Sequence, residues 1–183
     1  MSIEHLPKIL ASRTVAKSRL FEVEQLDLHF SNGEHRQYER MKPANYNSVM
    51  IVPVTDNNDL LLIREYCAGT ESYELGFPKG LVDSGETAKQ AANRELKEEI
   101  GFGAKQFTLL KNVVLAPSYF SSKMTLFLAQ DLYAERLQGD EPEPLQIIRW
   151  PLSQAEELLT HIDFRESRSI VALMLSLKLL HAK

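Results

Sequence analysis

The sequence holds a single cysteine and has no long apolar run. One thiol, that of Cys67, forms neither an internal disulfide nor a cysteine-based metal cluster or redox pair. No apolar stretch approaches the roughly 20 residues that cross a bilayer, and the start MSIEHLPKIL lacks the apolar core of a signal peptide. We therefore expect a cytoplasmic protein without a membrane partner.

The sequence also has no excess of basic residues. Its 21 lysines and arginines stand against 25 aspartates and glutamates, for a formal net charge of −4. Broad, sequence-independent binding to nucleic acid requires a basic face, so we expect no nucleic-acid partner, although a compact phosphate site remains possible. What is present, 44% hydrophobic and 25% charged residues over 183 positions, is typical of a globular protein with a full-sized core.

Residues 1–45 have the pattern of an antiparallel β extension. Polar and apolar residues alternate in TVAKSRLFEVEQLDLHF, stop at SNGE and resume in HRQYERM, which predicts a β-hairpin with an Asn-Gly turn. The pair Lys42-Pro43 closes this segment. An added sheet that only stabilises the rest of the chain would give the same pattern.

Residues 46–183 have the pattern of a mixed α/β domain. The stretch SVMIVPVTDNNDLLLIREY predicts two strands buried on both faces, and FTLLKNVVLA and KMTLFLAQDLY predict two more. A helix is predicted from about Thr87 to Ile100, where Gly101 ends it, and two further helical patterns follow IIRWPL. We expect a helix packed against a largely buried mixed sheet.

Three glutamates gather on one face of the predicted helix. In ELKEEIGF, Glu95, Glu98 and Glu99 fall within an arc of about 100° around the helix axis. Their repulsion is worsened by the negative end of the helix dipole, so a positive charge should offset it. Mg²⁺ and Mn²⁺ prefer such oxygen ligands, whereas the alternative is a solvated acidic helix face.

The residues around these glutamates complete a longer motif. GLVDSGETAKQAANRELKEEIGF resembles the Nudix box, G-x5-E-x7-R-E-U-x-E-E-x-G-U, at every constrained position. Those positions are Gly80, Glu86, Arg94, Glu95, Leu96, Glu98, Glu99, Gly101 and Phe102. The resemblance to Nudix hydrolases implies an α/β/α sandwich over residues 46–183 that hydrolyses nucleoside diphosphates linked to another group.

The resemblance also implies roles for the box residues. Glu95, Glu98 and Glu99 would hold two or three Mg²⁺ (or Mn²⁺) ions, with the Lys79 carbonyl as an added ligand. Glu98 and Arg94 would belong to the catalytic set. The arginine is expected to orient a glutamate, such as Glu86, through a charge-assisted hydrogen bond.

Three features outside the box resemble the ADP-ribose pyrophosphatase branch of the family. The β extension is similar to the swapped N-terminal sheet of that branch, which implies a homodimer. Pro117 lies where the branch carries a characteristic proline. The acidic loop GDEPEP resembles the loop that supplies the base, so Glu141 is the candidate base and Glu143 a candidate extra metal ligand.

Candidate substrate contacts follow from residue chemistry. Arginine forks match phosphate oxygens, aromatic rings stack on adenine, and a further acid could reach a second metal ion. The candidates are Arg40 and Arg64 for the pyrophosphate or second ribose, Tyr46, Tyr119 and Phe120 for adenine, and Glu74 for the metal. The alternatives are surface salt bridges for the arginines, core packing for the aromatic residues and an exposed strand end for the acid.

Over nearly its full length the chain resembles bacterial hydrolases of ADP-linked compounds within this branch. That resemblance implies cleavage of ADP-ribose, NADH and diadenosine triphosphate with release of AMP. Two departures, ELGFPKG and Lys123, indicate a site that reads the second half of the substrate loosely. Two other functions stay open, a non-catalytic nucleotide sensor and removal of a 5′ pyrophosphate from RNA.

Overall fold

The computed structural model describes residues 5–43 and 47–182, which divide into two compact units. The N-terminal unit contains residues 5–43 and 114–122, and the larger unit contains residues 47–113 and 123–182. Residues 114–122, which the sequence pattern assigned to the second domain, therefore belong to the N-terminal unit. Tyr46, a predicted adenine contact, lies outside the described residues.

The N-terminal unit is an antiparallel sheet of three strands in the order β1-β2-β3. They are β1 (Lys8–Lys17), β2 (Glu22–His29) and β3 (His35–Met41). The predicted hairpin corresponds to β2 and β3, and its turn places Gly33 at a φ of +87°. The prediction of a single hairpin was incomplete, because a second turn separates β1 from β2. The Ser18 side chain closes this turn by accepting from Phe21 N at 3.0 Å, without the glycine or proline that would have marked it.

The larger unit contains two sheets and three helical segments. Its strands are β4 (Asn47–Pro53), β5 (Asp59–Cys67), β6 (Ser72–Gly76), β7 (Lys79–Leu81), β8 (Phe102–Ala116), β9 (Phe120–Ala134) and β10 (Gln146–Pro151), of which β8 and β9 run on into the N-terminal unit. One sheet has the order β7-β4-β9-β8, with β4 and β9 parallel, and the other has the antiparallel order β10-β5-β6. The helices are α1 (Ala88–Glu99), a 3₁₀ helix (Leu152–Thr160) and α2 (Ser167–His181).

Strict alternation along the central strands builds a core on each face of the sheets. On β4, Met50 and Val52 belong to the core that includes Leu173 of α2, whereas Val49 and Ile51 belong to the core that includes α1. Strands β5 and β9 divide their apolar residues in the same way. The predicted α/β/α sandwich with a mixed sheet is therefore confirmed.

Helix α1 begins and ends where its sequence predicts. Thr87 and Gln90 form a capping box: the Thr87 side chain accepts from Gln90 N, and the Gln90 side chain accepts from Thr87 N at 2.9 Å. Ile100 caps the other end, and Gly101 follows at a φ of +74°. The buried residues of α1 include Ala91 and Leu96 and also two box glutamates, Glu95 and Glu99, so these carboxyl groups are largely shielded from solvent.

The pattern SQAEELLTHIDF forms a 3₁₀ helix instead of a regular α-helix. Its two buried residues, Ala155 and Leu158, are three positions apart, a spacing that a 3₁₀ helix aligns on one face. None of the helices in the described part of the chain is long and apolar enough to cross a membrane.

Candidate active site

A cleft of about 650 Å³ opens in the larger unit, between the start of the box, α1 and the loop that follows β9. It is lined by Lys79, Gly80, Leu81, Asp83, Arg94, Glu95, Glu98, Gln138, Gly139, Asp140 and Glu141. The lining is acidic, with Lys79 and Arg94 as its basic members. The cleft therefore brings four box residues together with the candidate base Glu141; the four are Gly80, Arg94, Glu95 and Glu98.

Arg94 is the centre of the hydrogen-bond network in the cleft. Its Nε and Nη2 donate to the two carboxylate oxygens of Glu86, each at 3.0 Å, which is the predicted contact. Its Nη1 donates to Glu95 and to Glu98, each at 2.8 Å, and Nη2 also donates to the Leu81 carbonyl at 2.9 Å. One guanidinium thus connects three box glutamates to the loop before α1.

Glu95 and Glu99 are buried carboxyl groups, with 9% and 7% of their surface exposed. Burial raises the pKa of Glu95 to about 7 and that of Glu99 to about 8. Hydrogen bonds offset part of the cost of burying a charged carboxylate, since Arg94 donates to Glu95 and the Lys79 backbone N–H donates to Glu99 at 3.0 Å. A cation that bound here would favour the charged form of both groups.

Gly80 lies directly against the Glu95 side chain. A Cβ atom at position 80 would fall 2.0 Å from the Glu95 carboxylate, which is closer than any real contact. The box glycine is therefore required for space, since its backbone φ lies outside the left-handed region.

Lys79 contributes a side chain as well as its backbone. Its Nζ forms an ion pair with Glu65 of β5. Burial lowers the pKa of Lys79, but the Glu65 carboxylate more than offsets this effect, so the net shift is upward. The family resemblance implied a role only for the carbonyl of Lys79 and none for Glu65.

The donor chemistry of the cleft suits a hard divalent cation. Glu95, Glu98 and Glu99 supply carboxylate oxygens within one and a half turns of α1, and Mg²⁺ and Mn²⁺ prefer such ligands. Their present partners are Arg94 and the Lys79 N–H. In the described ranges, no three His, Cys, Asp or Glu side chains are already arranged as a cation site.

The two glutamates of the acidic loop lie in different surroundings. Glu141 lines the cleft, where partial burial and the negative charges of Glu65 and Asp140 raise its pKa. Glu143 instead accepts a hydrogen bond of 2.6 Å from the Tyr73 hydroxyl and is not part of the cleft lining.

Two predicted substrate contacts of the larger unit form ion pairs away from the cleft lining. Arg64 donates to Asp163 at 2.8 Å. Glu74 accepts from Arg165 Nε at 2.9 Å and from Ser72, and these contacts lower the pKa of Glu74 to about 2. Both interactions connect the sheet with the segment that precedes α2.

The remaining predicted contacts belong to the N-terminal unit. Arg40 donates to the buried Glu24 at 2.7 Å. Pro117 and Tyr119 lie in the turn between β8 and β9, where the Tyr119 carbonyl accepts from Met41 N at 2.8 Å, and Phe120 begins β9. The roles of these residues in substrate binding stay predictions.

The structure adds acidic residues that the sequence analysis did not name. Asp83 lies within the box, Asp140 precedes the candidate base, and Glu65 lies on β5. Asp140 could have been included with the GDEPEP loop. Little in the sequence indicated that Glu65 lies near the site, since it is a single acidic residue near the end of a buried strand.

Comparisons with known proteins agree with this architecture. Residues 7–40 match the NudE-type Nudix hydrolase N-terminal domain, and residues 45–172 match the NUDIX domain. The chain is 62% identical over 169 residues to the ADP compounds hydrolase NudE of Escherichia coli (strain K12), covering 92% of this chain and 90% of that protein. It is 26% identical to the ADP-ribose pyrophosphatase of Bacillus subtilis (strain 168), covering 91% and 92% of the two chains.

A solved structure supports the same assignment. The crystal structure of an ADP compounds hydrolase aligns with a TM-score of 0.94 at 59% identity, covering 97% of this chain and 96% of that chain. Because the NUDIX match covers more than half of the sequence and the box lines a common cleft, this chain belongs to the Nudix hydrolase family and carries the N-terminal domain of its NudE type.

Proposed function

We propose that this enzyme hydrolyses the pyrophosphate linkage of ADP-linked compounds and releases AMP, with Mg²⁺ or Mn²⁺ as cofactor. The observation that carries the proposal is the convergence of Glu95, Glu98 and Glu141 on one cleft, with Glu99 buried behind it. The reaction class agrees with the ADP compounds hydrolase and ADP-ribose pyrophosphatase names of the relatives. ADP-ribose, NADH and diadenosine polyphosphates are the proposed substrates.

The carboxylates of α1 would hold the metal ions, and the Lys79 carbonyl would add an oxygen ligand. Divalent ions bound there would neutralise phosphate charge and make water a better nucleophile toward phosphorus at neutral pH. Two or three ions are proposed, in keeping with the number of carboxylates.

The protein groups around the metal ligands have separate tasks. Arg94 keeps Glu95 and Glu98 oriented, and the Lys79 N–H holds one oxygen of Glu99. Glu141 is the proposed general base, and its raised pKa brings it closer to neutral pH, where a base accepts a proton most effectively. Arg40, Arg64, Tyr46, Tyr119, Pro117 and Glu74 remain proposed contacts for the substrate.

The acidic lining argues against RNA as the substrate. An RNA 5′ end would bring several phosphates, and each requires a basic partner or a condensed counterion. Asp83, Asp140 and Glu141 would repel such a chain at the cleft.

The test is the release of AMP from ADP-ribose, NADH, diadenosine triphosphate and a 5′-triphosphate RNA, offered in parallel with Mg²⁺, with Mn²⁺ and with EDTA. We expect AMP from the first three substrates and none in EDTA. Nucleotide binding without AMP release from any compound would make the protein a sensor. Release of pyrophosphate from the RNA, without AMP from the other compounds, would show that the substrate is an RNA 5′ end and not an ADP-linked compound.

A further inference from the structure

The loop of residues 138–145 carries the proposed base without forming a helix or strand. Its start is fixed to the end of α1, since Leu137 N donates to the Lys97 carbonyl at 3.1 Å. Its end is fixed where Gln146 pairs with Arg64 at the beginning of β10. Glu141 lies between these two fixed points, where Gly139 also approaches Glu98 of α1, and a contact in the second half of the loop would restrict its position further.

A tyrosine on the sheet supplies such a contact. The Tyr73 hydroxyl donates to Glu143 Oε1 at 2.6 Å, a short distance typical of a hydroxyl that donates to a charged oxygen. In the part of the chain that the structure describes, no other side-chain hydrogen bond involves residues 138–145. The contact joins positions that are 70 residues apart in the sequence.

Tyr73 is itself held in place by the sheet. It lies on β6 opposite Tyr66 of β5, and the two rings meet edge to face with centroids 5.6 Å apart. Two residues further along β6, the side chain of Leu75 is fully buried and anchors the strand in the core. The strand pairing and the ring contact thus position the half-exposed Tyr73 side chain, whose hydroxyl reaches the loop.

The loop sequence transmits this attachment to the base. Glu143 stands between Pro142 and Pro144, and each proline restricts its own φ and the backbone of the residue before it. With few backbone rotations available, holding the Glu143 carboxylate also limits where Glu141, two residues earlier, can point.

We propose that Tyr73 is a positioning residue for catalysis, which holds the 138–145 loop through Glu143 and so keeps Glu141 at the cleft. This inference rests on the proposed function, because it assumes that Glu141 acts in hydrolysis. It also gives Glu143 a task other than the metal coordination that the sequence resemblance implied.

The test compares Tyr73→Phe with Tyr66→Phe in AMP release from ADP-ribose. Tyr73→Phe removes only the hydroxyl, and we expect kcat to fall about fivefold to tenfold, as for loss of a half-exposed hydrogen bond to a charged group, with KM within about twofold. Tyr66→Phe keeps the ring contact and should retain the wild-type kcat. In a Glu141→Gln background, Tyr73→Phe should cause no further loss.

Hydrogen exchange of the loop amides provides a readout that does not depend on turnover. Without substrate or metal, Gly139, Asp140, Glu141 and Glu143 should exchange faster in Tyr73→Phe than in the wild type or Tyr66→Phe. Unchanged exchange or an unchanged kcat in Tyr73→Phe would overturn the inference. The inference would also be overturned if Tyr73→Phe lowered kcat by the same factor in the Glu141→Gln background as in the wild type. It would be overturned, too, if Glu143→Gln weakened Mg²⁺ binding while Tyr73→Phe did not.

These outcomes separate this inference from the proposed function. A wild-type protein that releases no AMP from any ADP-linked compound would overturn both. An active wild type with an equally active Tyr73→Phe variant would overturn the inference alone.

Discussion

At the scale of single residues, Glu99 combines deep burial with a carboxyl group that has one backbone partner. Its Oε2 accepts from Lys79 N, and burial raises its pKa to about 8. A buried acid that is costly to ionise contributes little to the stability of the metal-free fold, which agrees with the metal-binding role that we propose for Glu99.

Glu99→Gln should therefore separate stability from activity. Gln can accept the same hydrogen bond and carries no charge to bury, so the Tm of the metal-free protein should stay equal or rise. Mg²⁺-dependent AMP release should fall about 100-fold or more, the scale of losing a key electrostatic group. Thermal unfolding and initial rates test this, and normal turnover would remove the helix cluster from the mechanism.

Gly80 shows that a residue without a side chain can determine where a carboxylate lies. We expect Gly80→Ala to displace the Glu95 carboxylate, since the new Cβ would lie 2.0 Å from it, and to lower turnover about 100-fold while the fold persists. Gly69→Ala is the matched control, because no atom lies within 4 Å of its added Cβ. Wild-type rates in Gly80→Ala would contradict this reading of the box glycine.

At the scale of elements, the box works because a helix and two loops meet at one cleft. The capping box at Thr87 and the stop at Gly101 set the length of α1, so Glu95, Glu98 and Glu99 occupy its last turns. These local signals were readable from the sequence, because helix caps depend on neighbours three or four residues away. The partners of Lys79 and Glu143 could not be predicted in this way, because Glu65 and Tyr73 lie on strands that are distant in the sequence.

The ion pair between Glu74 and Arg165 links β6 with the segment before α2, and it predicts a pH dependence of stability. The folded-state pKa of Glu74, about 2, lies below the ordinary value of 4.5. The pair therefore stabilises the fold above pH 4.5 and loses this effect as the pH falls toward 2. Chemical unfolding between pH 2 and 5 should show a smaller acid-induced loss in Glu74→Gln than in the wild type.

Glu71→Gln is the control for this measurement, because Glu71 is exposed and forms no ion pair within the described residues. It should keep the wild-type pH dependence. Equal acid-induced losses in Glu74→Gln and the wild type would show that the Arg165 contact does not stabilise the fold.

At the scale of the whole molecule, the N-terminal unit leaves apolar side chains exposed. All ten residues of β1 are exposed, among them Ile9, Leu10 and Val15. An exposed apolar strand of this length favours association with another surface, and a second copy of the chain is the partner that the family resemblance implies.

We expect light scattering coupled to size exclusion to give twice the chain mass of 20.9 kDa. Ile9→Lys with Val15→Lys should shift the protein toward the monomer, because charges on β1 would be buried without partners. Lys8→Glu is the control, because Lys8 is an exposed residue of the same strand that is already charged. Ser12 is not used, since its side chain donates a hydrogen bond to Glu24. A monomeric wild type at micromolar concentration would contradict the homodimer.

The linear sequence was sufficient to identify the family, the boundaries of α1, the buried strands β4 and β5 and the grouping of the box glutamates. Each of these depends on short-range periodicity, on caps or on a motif of fixed spacing. The folded chain was needed to show that Arg94 contacts Glu95 and Glu98 as well as Glu86. It was also needed to show that Lys79 pairs with Glu65, and that Glu143 bonds Tyr73 while Glu141 lines the cleft. The pairings of Lys79 and Glu143 join distant segments, and local patterns do not specify which of several charged partners the packed chain brings within reach.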